Sequence, residues 1–304
     1  MKYHTLGKTG FEVSAVTYGG VISSKHFDKA VIPGDGQKLS DEAVDWALCH
    51  GVNYFDVAPG YGDAQQLMGN SLKGKRGDIF LACKTAMRDR ENAEKDMLKS
   101  LELLHTDYFD VYQLHGISTM EELDRVFAPG GAMELLREMK EKGIARKIGI
   151  TAHHEAAAVK ALELYDFDTV LFPFNWHMNM AHGMGNAVKE AVRAGGQGLL
   201  GIKAMIEQSW EDTERYVSKY PKSWCKPFDI DKEPEMLLAA MRYAFSLGID
   251  TLVPPGNFDH FRFAVEHIDE VLDHPLTEKE LDLLRQRLPS VADHPFMDEE
   301  CYTI

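Results

Sequence analysis

Short apolar runs alternate with amphipathic stretches along most of the chain. Each run predicts a buried strand, and the stretch after it carries the helical spacing of apolar residues. The predicted strands cover residues 15–18, 53–57, 79–84, 109–115, 147–151, 169–172, 198–203 and 251–253. The predicted helices cover residues 40–50, 64–72, 93–104, 132–142, 155–164, 185–194, 234–247 and 258–272.

Eight strand–helix units in one chain predict a closed parallel barrel rather than an open sheet. The expected fold class is therefore α/β, a single (β/α)8 or TIM barrel. Barrels of this length commonly form one domain, so we expect residues 1–304 to form one domain. A turn signal from Gly7 to Gly10, between residues 3–6 and 11–13, adds an N-terminal β-hairpin.

Several predicted helices have recognisable ends. Ser40, followed by acidic residues, is the predicted N-cap of the first helix. Gly143 and Gly248 follow helices, as C-terminal glycines commonly do. Thr277 is the predicted N-cap of a further helix over residues 277–287.

Long loops are predicted after strands 1, 4 and 7, over residues 21–39, 116–131 and 204–233. Because all three follow strands, they lie at the C-terminal face of the barrel, where barrel enzymes carry their sites. The third loop contains Trp210, Tyr216 and Trp224. These aromatic residues either cover a substrate pocket or serve as ordinary loop packing.

Composition narrows the class of protein. The chain has no uncharged apolar run long enough to cross a membrane and no apolar signal core near its start, so we expect a cytoplasmic protein. The formal net charge of −15, from 33 basic and 48 acidic residues, argues against nucleic acid or an anionic membrane as a partner. Its four cysteines lack structural-zinc spacing, which indicates reduced thiols.

Three predicted strands end in a charged or titratable residue: Asp56, Lys84 and His115. The last inward residue of a barrel strand points into the mouth of the barrel, so these side chains are expected to converge. Tyr61 lies five residues after Asp56 between two glycines, which allow a tight turn that presents its ring. The alternative interpretation is a structural Asp56–Lys84 ion pair beside a packing tyrosine.

These residue types suit proton transfer to a carbonyl oxygen. A phenol is a poor acid at neutral pH, and a nearby ammonium lowers its pKa. Lys84 is the expected ammonium, Asp56 is expected to hold it in place, and His115 is expected to orient the carbonyl. Negative charge grows on the carbonyl oxygen during reduction, where Tyr61 and His115 would donate hydrogen bonds.

The sequence resembles the aldo-keto reductase superfamily from its N-terminal hairpin to about residue 266. The resemblance is carried by residues 6–10, by 53–58 with the following Tyr61-Gly62 and Leu67-Met68-Gly69, by Lys84, by 113–115 and by 143–150. It implies that Asp56, Tyr61, Lys84 and His115 occupy the family's four catalytic positions. It also implies a small-molecule carbonyl or alcohol substrate and a nicotinamide cofactor.

The cofactor site is expected at barrel loops, because no GxGxxG segment follows a strand and opens a helix. After strand 8, Gly256 would let the backbone approach a phosphate, and Asn257 is a candidate helix cap. The spacing of Arg262 and Glu266 by itself favours an exposed ion pair. The resemblance instead implies that both contact the adenosine end, with Arg262 on a 2′-phosphate, so NADPH is favoured and NADH is the alternative.

The remaining cofactor contacts come from the resemblance alone. It implies that strand 1 ends beneath the cofactor and that strands 5, 6 and 7 end beside it. Thr151 keeps a hydroxyl where the family often has Ser-Asn, and Lys203 replaces a common aromatic residue. The implied residues are Gly20, Val21, Asp56, Thr151, Asn175 and Lys203.

Two other functions remain open. A regulatory barrel could bind nicotinamide cofactor without turnover and still keep the four catalytic residues. A metal-dependent isomerase or hydrolase could use the pairs His153/His154 and His177/His182, but no acidic ligand is spaced beside them, and no metal is expected. Only Cys301 lies near the C-terminus, so no iron–sulfur cluster is expected either.

Overall fold

A computed structural model describes residues 1–211 and 213–291 of the protein. Eight parallel strands form its central sheet, and within these residues three antiparallel strand pairs lie outside it. In chain order, the strands are β1 (Tyr3–Thr5), β2 (Glu12–Ser14), β3 (Tyr18–Gly19), β4 (His26–Phe27), β5 (Ala30–Val31), β6 (Tyr54–Asp56), β7 (Phe80–Thr85), β8 (Phe109–Ile117), β9 (Ala145–Ala152), β10 (Thr169–Pro173), β11 (Gly198–Ile202), β12 (Ile206–Gln208), β13 (Lys226–Pro227) and β14 (Thr251–Val253).

The parallel sheet closes into a barrel. Its strands follow the order β3, β6, β7, β8, β9, β10, β11 and β14. Val16, just before β3, pairs in parallel with Leu252 of β14, and the Thr17 N–H donates to the Leu252 carbonyl at 2.8 Å. The predicted (β/α)8 barrel is therefore confirmed, as is the N-terminal hairpin, which β1 and β2 form.

Helices surround the barrel, and every helix predicted to follow a strand forms with slightly different ends. Three further helices, α4, α7 and α9, lie in loops or after β10 and were not predicted. In chain order, the helices are α1 (Gly36–Cys49), α2 (Ala64–Ser71), α3 (Arg90–Leu103), α4 (Met120–Phe127), α5 (Ala132–Glu141), α6 (Glu155–Leu164), α7 (Trp176–His182), α8 (Asn186–Gly195), α9 (Glu214–Val217), α10 (Pro234–Ser246), α11 (Phe258–Asp273) and α12 (Glu278–Arg287).

The prediction of Ser40 as the first N-cap is wrong. Helix α1 begins at Gly36, and its N-cap is Asp35, whose carboxylate accepts the N–H groups of Gln37 and Lys38. Ser40 lies inside the helix, where its hydroxyl hydrogen-bonds to Ser71 at 2.9 Å. An aspartate upstream offered an equally good cap, and the polar residues between the two positions hid the first helical turn.

The other predicted helix ends are confirmed. Gly143 and Gly248 both adopt the left-handed conformation, with φ of +74° and +95°. Thr277 and Glu280 form a reciprocal capping box at the start of α12. The prediction about an iron–sulfur cluster falls on Cys301, which lies outside the described residues.

Alternation along the strands decides which side chains enter the barrel. In β7, Leu81 and Cys83 pack outward against the helices, whereas Ala82 belongs to the cluster that fills the barrel interior. Because strand side chains alternate between faces, Lys84 shares the inward face with Ala82. Asp56 follows inward-facing Tyr54 on β6 in the same way. The interior cluster consists of Leu6, Val13, Tyr54, Ala82, Val111, Leu171 and Leu200.

The three long loops predicted at the C-terminal face are present. The loop after β3 contains the β4–β5 hairpin, the loop after β8 contains α4, and the loop after β11 contains α9 and the β12–β13 pair. We call the segment 203–233 between β11 and α10 the β11 insertion. Within the described residues, no helix has the length and apolar character that crossing a membrane requires.

Candidate active site

Asp56 and Lys84 form a buried ion pair at the mouth of the barrel. The Lys84 Nζ donates a hydrogen bond to Asp56 Oδ2, and the two residues are only 1% and 2% exposed. Burial alone would lower the pKa of Lys84, but the Asp56 carboxylate raises it above its ordinary value. Burial raises the pKa of Asp56, and Lys84 opposes that change. The pair keeps an ammonium inside the barrel.

Tyr61 lies in the turn after β6. Gly62, which follows it, has φ of +63°, and a Cβ there would lie 1.6 Å from the His26 carbonyl oxygen. Only glycine therefore suits this turn. The Tyr61 ring meets the His115 ring edge-on, with centroids 5.8 Å apart, and Lys84 Nζ lies 5.6 Å from the Tyr61 centroid.

The pKa of Tyr61 is raised, not lowered, in this environment. Burial is the largest cause, and the Lys84 ammonium opposes it by favouring the phenolate. The expected lowering effect of Lys84 is therefore present, but desolvation outweighs it. Tyr61 holds its proton at neutral pH, as a proton donor must.

His115 is neutral at physiological pH. Burial, followed by the charge of Lys84, lowers its pKa to about 3. Arg88 fixes the backbone at this point, because its guanidinium donates to the His115 carbonyl at 2.9 Å. A neutral imidazole has one N–H to donate and one nitrogen to accept a hydrogen bond.

One cavity of about 500 Å³ joins all four predicted catalytic residues. Its volume lies within the usual range for small-molecule sites. It is open to solvent at the C-terminal face, where the barrel loops meet. Nine predicted site residues line it: Val21, Asp56, Tyr61, Lys84, His115, Thr151, Lys203, Gly256 and, counted with the metal alternative, His153.

Five predicted cofactor residues do not line this cavity. Gly20 packs against Val57, to which a Cβ would come within 2.6 Å, whereas Gly19 and Val21 on either side reach the cavity. The remaining four are Asn175, Asn257, Arg262 and Glu266.

The Asn175 side-chain amide is occupied by the protein. Its Nδ2 donates to the carbonyls of Lys203 and Ile206 at 3.0 and 2.9 Å. Its Oδ1 accepts the Met178 N–H as the N-cap of α7. These bonds use both donor hydrogens of the amide, and contact between Asn175 and a nicotinamide ring stays a prediction.

The helix cap and the ion pair that the sequence pattern predicted for α11 are both present. Asn257 is the N-cap, accepting the His260 N–H at 3.1 Å. Arg262 and Glu266 approach within 3.8 Å, and both side chains are about half exposed. This is the exposed i,i+4 ion pair expected from spacing, and it lies on the helix that follows Gly256.

The cavity fits a nicotinamide cofactor. Among the described residues, no group hydrogen-bonds to the buried Asp56 Oδ1, which makes this carboxylate oxygen an acceptor for a ribose hydroxyl. Lys203 and Lys222 add two basic groups for phosphates. At Gly256, a Cβ would come within 2.4 Å of Val21 Cγ1, so the glycine lets the two loops meet.

Lys222 is a cavity residue that sequence reasoning missed. It is 8% exposed, and its Nζ donates to the carbonyls of Ile22 and Ser24 at 2.6 and 2.8 Å. Burial lowers its pKa to about 8. Lys222 thus ties the β11 insertion to the loop after β3. No motif surrounds it, so only the folded loops bring it to the site.

Phe27 and Trp224 supply an aromatic wall. Their ring centroids lie 5.8 Å apart, and Phe27 also meets Tyr61 edge-on at 6.3 Å. The Arg215 guanidinium lies 5.0 Å from the Trp224 centroid and pairs with Asp28. Trp224 was one candidate pocket residue from sequence, and the structure places it on the cavity.

Histidine pairs do not form a metal centre in the part of the chain described. Within residues 1–211 and 213–291, no group of three histidine, cysteine or acidic side chains is placed to hold a metal ion. The metal-free expectation stays a prediction.

A parallel barrel with a buried ammonium and carboxylate, beside a partly buried phenol and imidazole, at its C-terminal mouth has the layout of a barrel enzyme. Residues 37–203, more than half of the chain, match the model of the Aldo/keto reductase family. The chain therefore belongs to the aldo/keto reductase family. Members of this family are oxidoreductases that use nicotinamide cofactors.

Relatives and solved structures agree with this assignment. Aldo-keto reductase YhdN of Bacillus subtilis is 28% identical over 165 residues, which cover 50% of this chain and 47% of that protein. The chain spans about half the length of the curated relatives it matches. Aldo-keto reductase AKR11C1 from Bacillus halodurans superposes with a TM-score of 0.71 at 18% identity, covering 99% of both chains.

A third similar protein was solved with a bound cofactor. Bombyx mori aldo-keto reductase AKR2E4, solved in complex with NADP, superposes with a TM-score of 0.66 at 15% identity. The match covers 98% of this chain and 95% of that one. At this identity, both structural likenesses show the fold alone.

Proposed function

We propose that this protein is an NAD(P)H-dependent oxidoreductase that reduces a carbonyl group to an alcohol, or catalyses the reverse reaction, with Tyr61 as the proton donor. The observation that carries the proposal is the buried Asp56–Lys84 pair beside Tyr61 and His115 in one cavity. The substrate is a small carbonyl or alcohol compound. We further propose that residues 1–304 act as one domain.

The protein side chains donate the proton and stabilise the negative charge that forms during the reaction. When bound, a nicotinamide cofactor supplies the hydride that adds to the carbonyl carbon. Tyr61 holds the proton that the carbonyl oxygen receives, and its raised pKa keeps that proton in place beforehand. As the proton leaves, the Lys84 ammonium stabilises the phenolate, and Asp56 keeps that ammonium charged.

His115 stabilises the transition state by a second hydrogen bond. Its pKa near 3 means that the ring donates as a neutral imidazole and does not compete with Tyr61 as an acid. A fixed donor aimed at an oxygen that gains negative charge lowers the barrier without reorganisation. The edge contact between the two rings allows both to reach one oxygen.

NADPH is the favoured cofactor. Asp56 Oδ1 offers an acceptor for ribose, Thr151 lines the cavity, and Lys203 and Lys222 supply positive charge for phosphates. Arg262 is half exposed on α11, the helix that follows Gly256, where its guanidinium can bind a 2′-phosphate in place of Glu266. NADH is the alternative, which would leave the Arg262–Glu266 pair unchanged.

A Tyr61→Phe variant tests the proposal. We expect turnover of a carbonyl panel to fall by orders of magnitude, because the proton donor is gone, while NADPH and NADH titrations match those of the wild type. NADPH is expected to bind more tightly than NADH in both proteins. Tyr3→Phe, at the other end of the barrel, is the control and should keep turnover. Unchanged turnover in Tyr61→Phe would refute the assignment, and tight cofactor binding without any wild-type turnover would favour a regulatory barrel.

A further inference from the structure

The end of β8, where His115 lies, contains a β-bulge. The register with β9 shifts between Leu114 and Ile117, where β8 advances three residues against two on β9. The residues inside the bulge are His115 and Gly116, and Gly116 has φ of +64°. A bulge bends its strand and re-aims the side chains within it. The direction of the His115 side chain therefore depends on how the bulge is held.

Side chains from two other elements hydrogen-bond to the backbone of the bulge. The Arg88 guanidinium, in the loop after β7, donates to the carbonyls of His115 and Gly116 at 2.9 Å each. The Gly116 N–H donates to Thr151 Oγ1 of β9 at 2.7 Å. Such partners replace the ladder hydrogen bonds that a bulge disrupts. Arg88 supplies two of these three bonds.

Arg88 is itself held on two sides. Its guanidinium is 10% exposed and donates to Glu122 Oε1 of α4 at 2.9 Å, and its carbonyl accepts the Ala132 N–H at 3.0 Å. The other Glu122 oxygen accepts the Ser118 N–H at 2.8 Å. Burial would raise the pKa of Glu122, but the bonds from Ser118 and Arg88 lower it below its ordinary value. The partner of Arg88 is therefore a carboxylate at neutral pH.

The His115 ring depends on its backbone for its direction. Within the described ranges of the chain, no hydrogen bond holds the imidazole, which meets Tyr61 edge-on. A hydrogen-bond donor works on a transition state only when it points at the oxygen that gains charge. A displacement of about 1 Å can cost about 100-fold in rate.

We propose that Arg88 is a positioning residue that acts through His115. Its guanidinium, held by Glu122, fixes the bulge at His115 and Gly116 and thereby directs the imidazole at the carbonyl oxygen. The inference rests on the proposed function, which gives His115 its role in the reaction.

A double-mutant cycle tests whether Arg88 acts through His115. The readout is the single-turnover rate of NADPH oxidation with the best substrate of the carbonyl panel. We expect His115→Ala to lower this rate by about 100- to 1,000-fold. Arg88→Met should lower it by about 10- to 100-fold in the wild-type background. In the His115→Ala background, Arg88→Met should change the rate by less than about threefold, because the ring that it positions is gone.

Variants of the same segment separate positioning from general damage. Arg88→Lys can still donate to the bulge and should restore part of the rate. Arg90→Met removes a nearby arginine that pairs with Glu138 instead, and it should keep the wild-type rate. Glu122→Gln should cost less than Arg88→Met, because the guanidinium keeps its bonds to both carbonyls. All variants should bind NADPH with the wild-type Kd, and thermal melts establish that each is folded.

Histidine-ring NMR gives a readout that needs no turnover. In protein labelled with 13C-histidine, the ring resonance of His115 is identified by its absence in His115→Ala. We expect this resonance to broaden or split in Arg88→Met, because the ring then samples several directions. It should stay a single sharp resonance in Arg90→Met.

Each contrary result overturns a stated part. Losses that multiply in the double mutant would show that Arg88 acts independently of His115, as a merely structural residue would. A wild-type rate and an unchanged His115 resonance in Arg88→Met would also overturn the proposal. If His115→Ala kept the wild-type rate, the assigned role of His115 would fail and that of Arg88 with it. If the wild type reduced none of the panel, the proposed function would fail, while the NMR spectra would still decide whether Arg88 directs the ring.

Discussion

The surroundings of each titratable side chain in the barrel mouth determine whether it is charged or neutral. Asp56 and Lys84 stay paired as ions, although an ion pair so deeply buried adds little net stability compared with apolar packing. The ion pair contributes to proton transfer rather than to stability, because it keeps a positive charge next to Tyr61. Within residues 1–211 and 213–291, neither His115 nor His153 forms an ion pair, and their lowered pKa values keep both rings neutral. The result is one fixed ammonium beside three neutral proton-carrying rings.

Acid should destabilise the protein partly through His153. Its pKa is about 4 in the folded protein, whereas an unfolded histidine has its ordinary value near 6.5. Between these values the unfolded chain binds the proton first. The stabilising contribution is therefore fully present above pH 6.5 and is lost as pH falls towards 4.

Urea unfolding at pH 7 and pH 5 measures this contribution. In His153→Asn, the loss of unfolding free energy between the two pH values should be smaller than in the wild type by about 2 kcal/mol. Substitution of the exposed His274 by Asn is the control and should leave the loss unchanged. An equal loss in His153→Asn and the wild type would contradict a His153 that is neutral in the folded protein.

The turn between β6 and α2 determines where Tyr61 stands. Asp63, at the end of this turn, accepts the backbone N–H groups of Lys25 and His26 at 2.8 and 3.0 Å. These hydrogen bonds hold the turn in contact with the loop after β3. The close approach at Gly62 is the consequence, and it leaves no room for a side chain.

Gly62→Ala should therefore damage both stability and activity. The left-handed conformation costs an alanine about 1–2 kcal/mol, and the collision with the His26 carbonyl adds to that cost. We expect turnover to fall because Tyr61 moves with the turn. Urea unfolding and steady-state kinetics measure the two effects.

Gly60→Ala is the matched variant for stability. A Cβ at Gly60 would meet no atom within 4 Å, and its φ is not in the left-handed range. Its unfolding free energy should stay within about 0.5 kcal/mol of the wild type. Equal destabilisation of the two alanine variants would show that the Gly62 contact is not what holds the turn.

The β11 insertion is the element whose role depended most on the fold. Its length and its aromatic residues were evident in the sequence. Its attachment was not, because Lys222 reaches carbonyls 200 and 198 positions away. Such contacts leave no periodic signal. The same applies to α1, where two acceptable capping residues competed and the structure uses Asp35.

At the scale of the whole molecule, the two ends of the barrel have separate tasks. The C-terminal mouth holds the cavity, and the N-terminal hairpin contributes Leu6 and Val13 to the interior cluster. Leu6 is fully buried, and a Cβ on Gly198 would come within 2.5 Å of its Cγ. The hairpin thus packs against the first residue of β11, far from Tyr61 along the strands.

Leu6→Ala should separate stability from activity. We expect it to lower the unfolding free energy by about 2–5 kcal/mol, because it leaves a cavity in a tightly packed interior. Below the melting transition, kcat/KM should stay unchanged because the site lies at the opposite end. Leu39→Ala, at an exposed position on α1, is the control and should have little effect on stability. A large drop in kcat/KM for folded Leu6→Ala would contradict this separation.

The sequence by itself determined the barrel, its order of strands and helices, and the four residues Asp56, Tyr61, Lys84 and His115 as candidates. It could do so because hydrophobic periodicity and strand ends are local signals, and because the family resemblance covers most of the chain. Only the tertiary structure decided that the Asn175 amide is occupied, that Lys222 reaches the cavity and that no hydrogen bond joins the His153 ring to the residues the structure describes. Those facts depend on which long-range hydrogen bonds form, and no local pattern of residues records them.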